Sequence, residues 1–283
     1  MSNRLAVTPQ YLMPKRLLTQ FAGLVAGWHG GAVTQKIIRD FVAKYKVNMA
    51  EAANPDITSY ATFNEFFTRA LREGARPLAD APLVCPVDAA ISQFGPIEHD
   101  QIFQAKGHSY STRALVGGDQ QLAHQFDHGH FATLYLAPKD YHRIHMPCEG
   151  RLKRMIYIPG DLFSVNPLTA RHVPSLFARN ERVVCVFDTE FGPFVNVLVG
   201  ATIVGSVATV WHGVVNPPRT RDIREWRYDD QDIVLAKGAE MGRFLLGSTI
   251  VMLFPQNVVT FHADWEPTRP VRLGEAMGTI AGR

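Results

Sequence analysis

The chain has 283 residues, of which 46% are hydrophobic and 19% charged, and this composition excludes a disordered or fibrous protein. The longest apolar stretch, residues 197–211, is interrupted by Gly, Ser and Thr and is shorter than the roughly 18 residues of a membrane-spanning helix. The net charge of +3 is concentrated near the N-terminus, where residues 1–50 hold seven Lys or Arg against Asp40 alone, and no nucleic-acid-binding motif accompanies it.

The N-terminal residues, MSNRLAVTPQYLMPKR, show no apolar segment followed by a small-residue cleavage site, so no secretory signal is predicted and the chain is expected to stay in the cytoplasm. The three cysteines, Cys85, Cys148 and Cys185, are an odd number without zinc-site spacing. We therefore expect reduced thiols, with neither a disulfide framework nor a structural metal.

Residues 9–47 predict two amphipathic helices joined at Gly30 and Gly31, because apolar residues recur there at helical spacing. Their apolar stripes have two interpretations. One is ordinary core packing; the other is a helix lying in a lipid interface, with Lys15 and Arg16 near anionic headgroups. The concentration of positive charge in this region favours the lipid interface.

A third helix is predicted to begin at Thr62, with Glu65 completing a capping box, and to end at Gly74. Beyond residue 85 the apolar runs are typical of strands separated by Gly, Pro and Asp turns. These runs are 131–136, 182–188, 194–199, 201–210, 249–254 and 258–262. The predicted fold is α+β, with N-terminal amphipathic helices in residues 1–80 packed on a β-rich, mainly antiparallel domain in residues 81–283.

Three short segments contain residues suited to catalysis: 86-PVDA-89, 140-DYHRIHMP-147 and 246-LGST-249. Each alone is compatible with an ordinary turn or a structural histidine. Together, and in this order, they resemble the prokaryotic type of the phosphatidylserine decarboxylase family, whose members are self-processing and depend on a pyruvoyl group. The segments 66-FFTRALREGARP-77, 106-KGHSYS-111, 159-PGDLFSVN-166 and 240-EMGRF-244 support the resemblance.

The resemblance implies that the chain is a proenzyme that cuts itself between Gly247 and Ser248 into chains 1–247 and 248–283. It assigns His145 as the base that activates the Ser248 hydroxyl and Asp88 as the carboxylate that orients His145. Attack on the Gly247 carbonyl, β-elimination and loss of ammonia then convert Ser248 into an N-terminal pyruvoyl group. We expect Gly247 to be required for close approach or for unusual backbone angles at the cleaved bond.

The implied reaction is the decarboxylation of phosphatidylserine to phosphatidylethanolamine. The pyruvoyl ketone is the only cofactor; it forms a Schiff base with the substrate amine and accepts the electrons released with carbon dioxide. His142 is the candidate that protonates the resulting carbanion, on the expectation that its pKa is near the working pH. His142 and His145 could also bind a metal, but no third ligand has a matching spacing, so no metal is predicted.

The resemblance also implies a protein that acts at a membrane surface, on the cytoplasmic face and as a peripheral protein. The small chain 248–283 is expected to stay bound to the large chain 1–247, because strands such as 249–254 bury apolar area in a shared core. A homodimer of processed pairs is implied, and no nucleic-acid partner is expected.

Three alternatives remain open from the sequence. A Ser-His-Asp hydrolase could use the same three residues, although no G-x-S-x-G motif surrounds Ser248. A non-enzymatic β module recruited to membranes by its helices would keep an intact chain. A decarboxylase of the same family could also act on a different amine-bearing lipid or amino-acid derivative.

Overall fold

The computed structural model describes residues 7–203, 206–216 and 219–281, with Ser248 described by its backbone. It begins with three helices: α1 (Pro9–Leu12), α2 (Lys15–Ala26) and α3 (Ala32–Tyr45). The two predicted helices are thus confirmed, and a short turn of helix precedes them. The break before α2 is at Met13, whose extended backbone is the conformation that a following proline imposes. Residues 1–6, which include Arg4, lie outside the described residues.

Helix α4 (Phe63–Phe67) begins where it was predicted, since the Thr62 hydroxyl accepts a hydrogen bond from the Glu65 amide at 3.1 Å. The predicted end at Gly74 is wrong. After Phe67 the chain leaves the helix and lies alongside residues 51–53, with backbone hydrogen bonds from Ala53 to Ala70 and from Arg72 to Glu51. These tertiary partners replace the helical ones, and the apolar periodicity of the segment does not reveal them.

The β-rich part contains short helices as well as strands. The helices are α5 (Thr112–Leu115), α6 (Gln120–His124), α7 (Pro167–Ala170) and α8 (Leu176–Arg179). The strands are β1 (Leu83–Val84), β2 (Ala89–Pro96), β3 (Gln101–Ala105), β4 (His108–Ser111), β5 (His130–Leu136), β6 (Arg143–His145), β7 (Gly150–Ile158), β8 (Arg182–Thr189), β9 (Gly192–Val199), β10 (Val207–Thr209), β11 (Gly213–Val214), β12 (Arg224–Arg227), β13 (Val234–Leu235), β14 (Glu240–Phe244), β15 (Ser248–Phe254), β16 (Val259–Phe261), β17 (Pro270–Val271) and β18 (Ala276–Ile280).

The largest sheet has the strand order β12-β7-β8-β9-β15-β5-β2-β17, with β13 added beside β7, and every pairing in it is antiparallel. Smaller sheets follow the orders β11-β10-β14-β6, β1-β18-β16 and β3-β4. Strand β15 lies inside the largest sheet, between β5 and β9. The predicted α+β fold is confirmed.

Five of the six predicted strand runs coincide with β5, β8, β9, β15 and β16. The run 201–210 is wrong in its first half, because β9 ends at Val199 and the next strand begins at Val207; Val204 and Gly205 lie outside the described residues. Polar groups hold the backbone where the strand stops. Asn180 donates to the Gly200 carbonyl at 2.8 Å, and the Gly200 amide donates to the Glu181 carbonyl at 2.8 Å.

Two hydrophobic clusters form the interior. The larger one fills the β-rich part and includes Cys85, Cys148 and Cys185, which are buried. The smaller one, called here the helical cluster, consists of Ala26, Ile38, Val47, Phe63, Phe66, Phe67 and Leu246. Leu246 belongs to the connection between β14 and β15, so the N-terminal helices pack directly against the segment that precedes Ser248.

The apolar stripe of α2 is largely exposed. Leu17, Phe21 and Leu24 retain 66%, 67% and 74% of their accessible surface, and Trp28 beyond the helix is also exposed. Helix α3 differs, because Ile38 is fully buried in the helical cluster. Core packing therefore accounts for Ile38 of α3 but not for the exposed stripe of α2. No helix in residues 7–203, 206–216 and 219–281 is long and apolar enough to cross a membrane.

Candidate active site

The Gly247–Ser248 bond lies at the junction of β14 and β15. Strand β14 pairs with β6, and the Phe244 amide donates to the His142 carbonyl at 3.0 Å. Four residues later Ser248 begins β15, opposite Leu136 at the end of β5. The segment 137–145 contains His142 and His145 and connects two strands that pair with the chain on either side of the predicted cleavage site. It follows β5, which pairs with β15, and it ends in β6, which pairs with β14.

We expected Gly247 to be required for close approach or for unusual backbone angles, and the described conformation shows neither. Gly247 does not have a positive φ, and a Cβ built on it would meet no atom within 4 Å among the described residues beyond its two chain neighbours. The unusual backbone is at Leu246, whose φ is 106°, a conformation that costs a bulky residue roughly 1–3 kcal/mol. Burial of Leu246 in the helical cluster holds this conformation beside the predicted cleavage site.

His145 is held by hydrogen bonds at both ring nitrogens. Its Nδ1 lies 2.8 Å from the Gly238 carbonyl oxygen, and Nε2 lies 3.2 Å from the Tyr141 hydroxyl. Because a carbonyl only accepts, Nδ1 carries the hydrogen and Nε2 presents its lone pair. Burial lowers the pKa of His145, although the hydrogen bond to Gly238 opposes this effect. The ring is therefore a neutral base at neutral pH.

Asp88 lies close to His145 along the backbone, since the His145 amide donates to the carbonyl of Pro86, two residues before Asp88. Its carboxylate, however, is bound by Arg76 through Nε at 2.9 Å and Nη2 at 2.5 Å, and by the Leu273 amide at 2.9 Å. Asp88 and His145 are both described, and no hydrogen bond joins their side chains. The orienting contact at Nδ1 comes from Gly238, whereas Asp88 acts on His145 through its charge.

His142 is completely buried and stacks on Phe67, with ring centroids 4.1 Å apart. Its ring nitrogens make no well-formed hydrogen bond within the described part of the chain. Burial, reinforced by the charge of Arg69, lowers the pKa of His142 to about 3. The expectation of a pKa near neutrality is therefore wrong for the chain without substrate, in which His142 is neutral. His142 and His145 have separate surroundings.

Several residues of this region were not singled out from the sequence. Arg76 binds both Asp88 and Glu51, Tyr141 contacts His145, and Arg69 lies beside His142. Burial raises the pKa of Asp140 to about 6, although its carboxylate accepts a hydrogen bond from the Ala137 amide at 2.7 Å. Arg69 and Arg76 fall in the segment 66–77, and Asp140 and Tyr141 fall in the segment 140–147. The motifs therefore indicated where these residues are but not which groups they contact.

The comparisons with known proteins bear on the whole chain. The family described as phosphatidylserine decarboxylase matches residues 63–279, and a second family, described as PSD, matches residues 5–46. The chain belongs to the phosphatidylserine decarboxylase family. The first of these matches contains Asp88, His142, His145 and Ser248, and the second covers the helices α1, α2 and α3 completely.

Individual relatives align with the chain almost from end to end. A phosphatidylserine decarboxylase proenzyme of Variovorax paradoxus is 72% identical over 99% of this chain and 99% of its own length. Proteins of the same description from Polaromonas naphthalenivorans and Dechloromonas aromatica are 71% and 69% identical, over 99% of this chain and 98% and 100% of their own lengths. The family resemblance therefore extends into the N-terminal helices, which the sequence motifs alone did not cover.

Proposed function

We propose that this chain is a peripheral enzyme of the cytoplasmic membrane face that converts phosphatidylserine to phosphatidylethanolamine with a pyruvoyl group made from Ser248. Membership of the family supports a decarboxylase over a hydrolase or a non-enzymatic module. The observation that best supports this proposal is the arrangement at the junction of β14 and β15. The Gly247–Ser248 bond adjoins a strained Leu246 and the segment that contains the neutral base His145.

Self-cleavage begins when His145 Nε2 accepts the proton of the Ser248 hydroxyl. The serine oxygen forms a bond to the Gly247 carbonyl carbon while the Gly247–Ser248 amide bond breaks, which leaves an ester and a free amine on Ser248. Abstraction of the Ser248 Cα proton then expels the Gly247 carboxylate, and hydrolytic loss of ammonia leaves the ketone. The Gly238 carbonyl keeps His145 in the required tautomer, and the negative charge of Asp88 stabilises the imidazolium that forms.

The residues around position 248 fit a pyruvoyl group, since Thr249 and the rest of β15 are held on both sides by β5 and β9 and would fix a new N-terminus at Ser248. When present, this group supplies a carbonyl that condenses with an amine and accepts an electron pair. The proposed role of His142 is to deliver a proton to the substrate carbon, and an anionic substrate would raise its pKa by offsetting Arg69.

The position of β15 supports the retention of the small chain. Residues Ile250 to Phe254 are fully buried and pair with β5, and Ile250 to Leu253 pair with β9 as well. Each such side chain contributes roughly 1.5–3 kcal/mol on burial, so chain 248–283 stays in the sheet after the cut. The homodimer of processed pairs remains a prediction.

An apolar groove of about 530 Å³ lies between α2 and α3 and supports a lipid substrate. Its walls include Phe21, Val25, Ile37 and Phe41, and it reaches Leu246, two residues before Ser248. A groove that opens beside an exposed apolar helix and leads to the cleavage site suits an acyl chain. The lipid could then present its headgroup to the site without leaving the membrane surface.

The exposed stripe of α2 supports membrane binding, with one difference from the expectation. Lys15 does not project toward headgroups, because its ammonium lies 3.6 Å from the centre of the Phe163 ring and donates to the Gln10 carbonyl at 2.9 Å. Burial lowers the pKa of Lys15. Arg16 is exposed and is the neighbouring cation available to anionic lipid.

We expect the triple substitution Leu17→Ser, Phe21→Ser and Leu24→Ser to weaken binding to vesicles that contain anionic phospholipid by at least tenfold, while self-cleavage continues. Three large apolar side chains would no longer enter the interface, and the change does not disturb the core. Vesicle co-sedimentation measures binding, and a denaturing gel measures cleavage. A matched control replaces Val210, Val214 and Ile223, which are similarly exposed elsewhere. Equal loss in both variants would contradict an interfacial role for α2.

Intact-mass measurement of the purified protein tests the proposed function most directly. We expect two chains that separate only on denaturation, the smaller one beginning with pyruvoyl and lighter by one ammonia than the product of simple hydrolysis. Ser248→Ala should remain a single chain without decarboxylase activity, because alanine has no nucleophile. A small chain with a free serine N-terminus would exclude this mechanism, and release of carbon dioxide from phosphatidylserine by the processed protein checks the substrate.

A further inference from the structure

Arg69 is a buried cation without a counter-ion in the described part of the chain. It follows α4, and only 5% of its surface is accessible. Among the described residues, its guanidinium makes one long hydrogen bond, from Nη2 to the Lys139 carbonyl at 3.4 Å, and its Nε has no hydrogen-bond partner; its Cζ lies 5.3 Å from the centre of the Phe66 ring. Burial lowers the pKa of Arg69, which reflects the cost of holding this charge away from water. An arginine in such surroundings is suited to an anion that enters from outside.

Arg69 lines a polar cavity of about 600 Å³, called here the polar cavity. Asp88 and Glu51 also line it, but both bind Arg76. Asp140 is the third acidic residue of the wall, and burial raises its pKa to about 6. Glu51 and Asp88 are thus bound by Arg76, and Asp140 alone offsets part of the remaining positive charge of the cavity at neutral pH.

Two lysines add to the positive charge. Lys46 and Lys139 line the polar cavity with exposed side chains, and neither forms an ion pair with the described residues. Arg69, Lys46 and Lys139 therefore leave the cavity with an excess of uncommitted positive charge. This charge favours an anionic ligand.

The polar cavity adjoins the predicted cleavage site. Tyr135 and Ala90 are in its wall, and they lie in one row of the sheet with Thr249, the neighbour of Ser248. Adjacent strands are about 5 Å apart, so a group in the cavity near Tyr135 lies one strand away from β15. Arg69, which lines the cavity, also lowers the pKa of His142 through its charge.

We propose that Arg69 binds the phosphodiester of the phospholipid substrate, with Lys46 and Lys139 at the mouth of the polar cavity. This inference rests on the proposed function. The phosphodiester is preferred to the substrate carboxylate for a chemical reason. A cation that held the carboxylate would stabilise the substrate more than the transition state, in which that negative charge leaves the carboxylate. The phosphodiester keeps its charge throughout the reaction and is present in the product.

Kinetics of Arg69→Gln and Arg69→Lys test this assignment, with short-chain soluble phosphatidylserine as substrate. We expect both variants to cleave themselves, and Arg69→Gln to show a KM raised roughly 10- to 100-fold by the loss of charge-assisted hydrogen bonds. Inhibition by short-chain phosphatidylethanolamine should weaken by the same factor, because it has the phosphodiester but no carboxylate. Arg72→Gln, which removes an exposed arginine three residues away, is the matched control. Unchanged inhibition beside a raised KM would assign Arg69 to the carboxylate and overturn the proposal.

Binding measured without turnover separates this proposal from the proposed function. Glycerophosphoethanolamine should raise the thermal midpoint of the wild-type protein and not that of Arg69→Gln, whether or not the protein decarboxylates phosphatidylserine. Equal protection of both proteins would overturn the proposal. Inorganic phosphate at the same concentration should protect less; equal protection by phosphate would mark a general anion site and overturn the assignment to a lipid headgroup.

Thermal unfolding of Arg69→Met distinguishes a ligand-binding arginine from a structural one. If the function of the Arg69 guanidinium is to bind an anion, its replacement by an apolar side chain of similar length should raise the midpoint of thermal unfolding by roughly 2–4 °C in the absence of ligand. A fall of several degrees would show that Arg69 stabilises the fold and would overturn the proposal. Arg69→Lys retains the charge and provides the second variant for the kinetic test.

Discussion

His145→Ala is expected to leave a single uncut chain, with cleavage slowed by roughly 10²- to 10⁴-fold. Without the imidazole, the Ser248 hydroxyl has no acceptor for its proton, and the attack on Gly247 loses its general base. A denaturing gel sampled over time after synthesis measures the rate. The uncut variant should also lack decarboxylase activity, because the ketone never forms.

Two companion variants show which contact of His145 matters. Tyr141→Phe removes the hydroxyl that lies 3.2 Å from Nε2 and should still cut, since that nitrogen is then freer to accept the serine proton. Asp88→Ala should slow cleavage less than His145→Ala does, because Gly238 continues to orient the ring after the carboxylate is lost. Cleavage at the normal rate in His145→Ala would show that another group is the base.

His142→Ala is expected to cut itself and carry pyruvoyl, yet to decarboxylate roughly 10²- to 10⁴-fold more slowly than the wild type. The proposed task of His142 is to protonate the substrate carbon after carbon dioxide leaves, and this task begins only after maturation. His142→Phe should behave in the same way. It keeps an aromatic ring against Phe67 and therefore separates the loss of the proton donor from the loss of packing.

Borohydride reduction in the presence of phosphatidylserine, analysed by intact mass, tests whether the slow variant still binds substrate covalently. Both His142 variants should give a trapped adduct on the small chain. His124→Ala, which changes an exposed histidine, should retain normal turnover. An uncut His142→Ala chain would mean that His142 takes part in maturation and that the two histidines do not have separate tasks.

Local signals in the sequence were sufficient for the two amphipathic helices, the start of α4, five of the strands and the family. These features depend only on residues that are close in sequence, so the sequence was enough to predict them. They are the Thr62 cap, the apolar runs of β5, β8, β9 and β15, and the spacing of the two amphipathic helices. The same holds for the motifs around Asp88, His145 and Ser248, since each is a short run of neighbouring residues that the sequence prints directly.

Contacts between distant segments decided the rest. The end of α4 depends on pairing with residues 51–53, and the binding of Asp88 by Arg76 depends on how that segment packs on the sheet. The pKa of His142, about 3, results from burial against Phe67 and beside Arg69, and no local pattern reports burial. The same packing places the backbone strain at Leu246 and buries Arg69 without an ion pair to any described residue, because each depends on which groups from elsewhere in the chain surround it.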